Sequence, residues 1–229
     1  MQEGHAPLED VEEQMRDLRK QGLSLREIAK ATGSNISKAQ RVVKDVPMAI
    51  GFYRKELPVA LVEGSIVNLE TTGFDCDVDD IISFGFLEHN ILTVVQRVES
   101  KSDDFYNTIR EKLSHLAHPL YAYDAQLHEA FLLTKLHIPI KLVDISQPWR
   151  ERARTEGRSY PSLDDLTSVP REYFNEAVVP ERQVRLLWAS YLKTGDKRKF
   201  TPIVRHCMED LRQTLYLLTF IESTAEPSS

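Results

Sequence analysis

The chain has 229 residues, 41% of them hydrophobic, with a formal net charge of −6; it can bury one main domain plus a small appendage, and it is too acidic for a wholly basic nucleic-acid coat. Its apolar runs are short and broken by charges, and Met1-Gln2-Glu3-Gly4-His5 is neither basic nor followed by a secretory core, so the sequence predicts a cytoplasmic protein with no membrane span. Cys76 and Cys207 lack zinc-ligand spacing and are too few for a disulfide framework, which leaves two free thiols.

At the N-terminus, Leu8, Val11, Met15 and Leu18 recur at helical spacing, and amphipathic pieces follow over 23–31 and, after Thr32-Gly33-Ser34, over 36–43. Ser24 and Glu27 form a capping box, Ala29 is small enough for close helix approach, and Gly33 permits the turn. The pattern predicts a small all-α helix-turn-helix domain over 1–47. Its third helix would present Asn35, Ser37, Lys38, Gln40, Arg41 and Lys44, side chains suited to phosphates and base edges. A three-helix module that contacts a protein partner is the alternative.

Residues 48–60 read as a linker, because Pro47 and Pro58 bracket a charged stretch around Phe52 and Tyr53 that has no sustained period. Strands follow over 65–69, 81–87 and 92–98, with a turn at His89-Asn90; the short connections predict an antiparallel meander. Then come a helix over 103–116, a strand over 120–123, a helix over 125–136 and a strand over 140–145. From Gln147 the chain is largely helical, with Pro180 opening one helix and Pro202 in the first turn of the last. Residues 224–229 read as a flexible tail. The order β-β-β-α-β-α-β predicts an α/β domain over 61–223, a mixed five-stranded sheet flanked by helices.

Three motifs lie in that domain. In Ile66-Val67-Asn68-Leu69-Glu70-Thr71-Thr72-Gly73, Asn68 and Glu70 stand at i and i+2 of a strand and face one side, where oxygen donors suit Mg²⁺ or Mn²⁺. The block resembles the first motif of the DEDD-type 3′ to 5′ exonucleases of the ribonuclease-H-like superfamily, usually Asp-x-Glu-Thr-Thr-Gly, with Asn68 where the family has Asp. Tyr121-Ala122-Tyr123-Asp124-Ala125-Gln126-Leu127-His128-Glu129-Ala130-Phe131-Leu132 resembles the second, Asn-x-x-Phe-Asp-x-x-Phe-Leu. Phe131 and Leu132 set Asp124 at the family's Asn and His128 at its Asp, and the two share a helix face. Val204-Arg205-His206-Cys207-Met208-Glu209-Asp210 looks like the third, in which Tyr or His precedes the last Asp. Its spacing is that of YprB-like proteins and family-B polymerase proofreading domains, and Tyr191, Gly195 and Asp196 upstream extend the YprB-like resemblance. The resemblance covers roughly residues 64–220 and leaves out the helix-turn-helix.

In the intact family, four carboxylates hold two metal ions, Mg²⁺ or Mn²⁺, and a His or Tyr serves the attacking water. The resemblance implies Glu70, His206 and Asp210 as catalytic residues, Asn68, Glu70, Asp124, His128 and Asp210 as the metal set, and Thr71 and Thr72 as nucleic-acid contacts; Lys38, Gln40, Arg41 and Lys44 are nucleic-acid candidates from the helix-turn-helix reading alone. It implies a metal-dependent 3′ to 5′ exonuclease or related nuclease acting on DNA or RNA, weakened where Asn68 and His128 replace carboxylates. The alternative is a catalytically inactive nucleic-acid-binding or regulatory scaffold that keeps the fold. An engineered Asp-to-Asn exchange would also account for Asn68 but leaves His128 unexplained. Asp144 reads as structural, and the run Trp149-Arg150-Glu151-Arg152-Ala153-Arg154 as a solvated helix face or a phosphate contact.

Overall fold

Side chains alternate across a strand, so a sheet with helices on both faces needs apolar residues at neighbouring positions on its central strands. β3 meets that demand, with seven consecutive buried residues from Ile81 to Leu87. The computed structural model describes residues 8–20, 23, 25–44, 50–58, 63–98, 103–167 and 179–224.

The N-terminal helices α1 (Leu8–Lys20), α2 (Leu25–Ala31) and α3 (Ile36–Val42) enclose their own core of Met15, Ile28, Ala29, Ala39 and Val43. Gly33, at φ 60°, makes the turn between α2 and α3. Asn35, expected among the presented residues, is exposed and also caps α3, its Oδ1 accepting from the Lys38 N–H at 2.8 Å. The capping role given to Ser24 and the tail beyond Thr224 lie outside the described residues.

The sheet contains β1 (Ile50–Glu56), β2 (Ser65–Thr71), β3 (Ile81–Glu88), β4 (Ile91–Arg97), β5 (Leu120–Ala122) and β6 (Val143–Asp144) in the order β1-β4-β3-β2-β5-β6. The first four pair antiparallel, whereas β2–β5 and β5–β6 are parallel. Among the described residues the sheet thus has six strands rather than five. The additional one, β1, arises from the stretch read as a linker and runs antiparallel to β4 from Ile50↔Arg97 to Glu56↔Ile91. Burial along it decays from Ile50 and Gly51 to an exposed Arg54-Lys55-Glu56 end, which hides the two-residue period. Charge on such an edge strand also discourages pairing with another chain.

α4 (Asp103–His115) and α5 (Ala125–Leu136) cover one face of the sheet, where Val67, Phe84, Phe105, Ile109 and Phe131 form the main core. α9 (Phe200–Thr224) crosses the other, packing Leu211 and Leu215 against Ile66, Leu87 and Leu92. Since Ile66 faces α9 and Val67 faces α5, Asn68 and Glu70 also face α9. Gly85, opposite Asn68 in the ladder, lets α9 come close: a Cβ there would lie 2.5 Å from Cys207 Sγ and 2.8 Å from Leu211 Cδ1. Between β6 and α9 the chain forms α6 (Gln147–Thr155), α7 (Leu163–Thr167) and α8 (Glu181–Thr194). Pro180 caps α8 and Pro202 lies in the first turn of α9, as the sequence predicts. Among the described residues no helix is long and apolar enough to cross a membrane.

Candidate functional site

The end of β2 is shaped by hydroxyl groups. The register of β2 against β3 shifts between Glu70 and Thr71, a bulge of the kind that re-aims side chains. Beyond it the Thr71 hydroxyl donates to Gly73 O at 2.6 Å, and the Thr72 hydroxyl donates to Asp79 Oδ1 at 3.0 Å while accepting from the Asp80 N–H at 2.9 Å. A Cβ on Gly73 would fall 2.1 Å from Asp79 Oδ2, so glycine is required for this closure. Asp80 in turn accepts from Tyr106 and Arg97 at 2.5 and 3.0 Å. Partial burial alone would raise its carboxyl, but these donors outweigh that and hold it below the ordinary range. Thr71 and Thr72 thus build the turn that fixes Glu70, and Thr71 also lines the cavity beside it.

α9 brings His206 and Asp210, one turn apart, to Glu70. One ligating atom from each lies within 4.8 Å of the others; His206 Nε2 is 3.6 Å from Asp210 Oδ2 and 3.8 Å from Glu70 Oε2. Glu70 and His206 are buried, and Asp210 is partly exposed. Burial pushes the Glu70 carboxyl up to about 8; His206 opposes the rise, and Asp210 and Glu181 add to it. Asp210 is raised to about 6 by burial, again against His206 and with Asp164 and Glu181 adding. For His206, burial lowers the imidazole, but Asp210, Glu70, Asp164 and Glu181 together outweigh it and raise it. Its Nδ1 is buried and has no hydrogen-bond partner among the described residues. Two carboxyls and an imidazole, with Glu70 and His206 buried and Asp210 partly so, converge here as oxygen and nitrogen donors of the kind that hold a dication.

Asn68 fills the space between this cluster and α5. Its Nδ2 donates to Glu70 Oε1 at 3.1 Å and, at 3.5 Å, to Asp210 Oδ2, while its Oδ1 lies 3.2 Å from His128 Nε2. The Nδ1 of His128 is 3.0 Å from the Asp124 backbone oxygen. Burial lowers the His128 imidazole below its ordinary range, against the raising effect of Asp124 and Asp144. Asp124 turns β5 into α5 through a left-handed backbone, φ 57° and ψ 52°. Its carboxylate pairs with Arg150 at 3.0 Å, and the same guanidinium reaches Asp144 at 3.3 Å and stacks over Tyr160 at 4.5 Å. Asp124 and His128 line the same cavity as Glu70 but are not in the close Glu70–His206–Asp210 group. The helix-face charge run is therefore partly structural through Arg150.

Several residues of the site have no signal in the sequence. The cavity, of about 320 Å³, is also lined by Asp164 of α7 and Glu181 of α8, whose charges act on the cluster. Asp164 Oδ1 accepts from Gln213 of α9 at 3.1 Å. Phe74 and Tyr160 expose aromatic surface at the cavity, 62% and 39% respectively, and the Arg185 guanidinium sits 4.1 Å over Phe74. Lys38, Gln40, Arg41 and Lys44 lie on or just beyond α3, Gln40, Arg41 and Lys44 exposed and Lys38 half-buried. Residues 65–221 match the sequence model of a family described as the RNase_H superfamily. No curated protein matches the chain.

Proposed function

The chain belongs to the RNase H superfamily, and from that premise we propose that it is a metal-dependent nuclease of the DEDD 3′ to 5′ exonuclease type, hydrolysing phosphodiesters of DNA or RNA. The observation that carries this reading is the meeting of Glu70, at the end of β2, with His206 and Asp210 of α9, their ligating atoms within 4.8 Å. The donor set fits Mg²⁺ or Mn²⁺, because the two carboxylates and the carboxamide of Asn68 offer hard oxygens. Glu70 and Asp210 would hold the ion with Asn68 beside them. Bound there, it supplies Lewis-acid stabilisation of the charge that develops on the phosphate oxygens.

His206 Nε2 takes the proton of the attacking water, its basicity sustained by Asp210 and Glu70 against the effect of burial. Phe74, with Arg185 over one face, offers the rest of its exposed ring to an unpaired base. Thr71 and Thr72 flank the scissile end, and the N-terminal helices act as a helix-turn-helix whose Lys38, Gln40, Arg41 and Lys44 track the backbone further along the polymer.

End-labelled single-stranded and duplex DNA and RNA, incubated in Mg²⁺ and in Mn²⁺, test the reading. We expect a stepwise ladder from the 3′ end, abolished by Glu70→Ala; activity that persists in that variant belongs to a contaminant. The second reading, an inactive nucleic-acid-binding or regulatory scaffold, is favoured by the Asn68 N–H groups directed at both carboxylates. Salt-dependent binding without turnover would select it.

A further inference from the structure

His128 is the least explained residue of the site, and its two ring nitrogens define its role. Nδ1 lies 3.0 Å from the Asp124 carbonyl oxygen, a group that only accepts hydrogen bonds, so Nδ1 carries the proton. Beside a dication held at Glu70 and Asp210 a second positive charge is repelled, so the imidazole is uncharged and has one N–H. Nε2 is then a lone pair directed at the Asn68 carboxamide, 3.2 Å away, and the partner it requires is the amide NH₂, not the amide oxygen.

The other end of the carboxamide faces Glu70 Oε1 and Asp210 Oδ2, at 3.1 and 3.5 Å. With those carboxylates alone, an NH₂ in that position is favourable. With a cation between them it is repulsive, and an oxygen is required. A half-turn of the Asn68 amide about its last side-chain bond exchanges oxygen and nitrogen while leaving their positions almost unchanged. In the turned state both ends are satisfied at once: NH₂ meets the His128 lone pair and oxygen meets the cation.

We propose that His128 is a positioning residue that holds the Asn68 carboxamide with its oxygen toward a divalent cation bound by Glu70 and Asp210, rather than being a ligand itself. The inference rests on the metal-centre reading above. It also joins the two departures from the carboxylate pattern into one. A carboxylate at position 68 presents equivalent oxygens and needs no orientation, whereas a carboxamide does, and the imidazole at 128 supplies it. The Asp124 carbonyl that fixes the imidazole tautomer is delivered by the left-handed backbone at that residue, in the way outer partners orient the inner ligands of metal sites.

The test is calorimetric titration of the full chain with Mg²⁺ and with Mn²⁺, for the unaltered protein, His128→Ala, Asn68→Asp and the double variant. Circular dichroism confirms that each is folded. His128→Ala should weaken cation binding by roughly 10-fold or more, the usual effect of losing an orienting partner, but change it by less than about twofold in the Asn68→Asp background. His128→Gln, which keeps an acceptor, should recover part of the affinity. Independently of any variant, ¹⁵N NMR of the Mg²⁺-saturated protein should show His128 protonated at Nδ1 and unprotonated at Nε2. Equal weakening in both backgrounds, no weakening in either, or a proton on Nε2 in the loaded protein would overturn the proposal and leave the metal centre standing. If neither the unaltered chain nor Asn68→Asp binds Mg²⁺ or Mn²⁺, the metal centre fails and this role fails with it.

Discussion

Gly85→Ala puts a methyl group where the sheet and α9 touch. The new Cβ would sit 2.5 Å from Cys207 Sγ and 2.8 Å from Leu211 Cδ1, whereas ordinary carbon contacts need about 3.5–4.0 Å. The layers must therefore part by roughly 1 Å. The tip of Leu211 can rotate, but Cys207 is fully buried and has a single side-chain torsion, so little of the strain relaxes locally. Overpacking of this kind costs about 1–3 kcal/mol, and a chain of this size loses about 2–4 °C of Tm per kcal/mol. Asp210 lies between Cys207 and Leu211 on the same helix, so the same displacement pulls it from Glu70. A shift of about 1 Å at a reacting centre can cost on the order of 10²-fold in rate. Thermal melts, Mn²⁺ titration and cleavage should fall together, and adding Cys207→Ala should recover part of all three. A Gly85→Ala protein with unchanged Tm and unchanged Mn²⁺ affinity would refute the claim that helix-to-sheet contact at Gly85 sets the site.

The carboxyls give a pH prediction. Glu70 and Asp210 titrate higher folded than unfolded, so their contribution to stability is fully present below the unfolded values, about 4, and is lost as pH rises through about 6 at Asp210 and about 8 at Glu70. In chelator the Tm should decline across that interval and Mg²⁺ should raise it most at the alkaline end, while Glu70→Gln should flatten the decline; a pH-independent Tm would contradict it. His206→Ala should lower cleavage by about 10²–10⁴-fold with Mn²⁺ affinity held within about threefold, less than ~1 kcal/mol; a collapse of affinity would make His206 a ligand instead of a base. Arg41→Ala combined with Lys44→Ala should reduce the salt slope of nucleic-acid binding by roughly one unit for each phosphate that is no longer neutralised, while leaving cleavage of short single strands intact. An unchanged slope would remove those residues from the binding surface.

What was legible in the sequence is what repeats with the period of a strand or a helix. Glu70 is reached through an i, i+2 pair, and His206 and Asp210 through an i, i+4 pair, and the structure brings all three together. β1 was not legible, because an edge strand leaves its outer end to solvent and so loses the alternation that marks a strand. Asp164 and Glu181 were not legible for another reason. They belong to different short stretches of chain, and only the packing of α7 and α8 around α9 brings them to one cavity. His128 lies between these cases. Its position on α5 follows from the sequence, but the partner of each ring nitrogen depends on the backbone of Asp124 and on the strand that carries Asn68. A carboxylate count taken from motifs records the substitutions at 68 and 128 as two separate losses. The contact that joins them, between His128 Nε2 and the Asn68 carboxamide, couples them, so in the proposed role of His128 the capacity of the site for a cation depends on the pair and not on either residue alone.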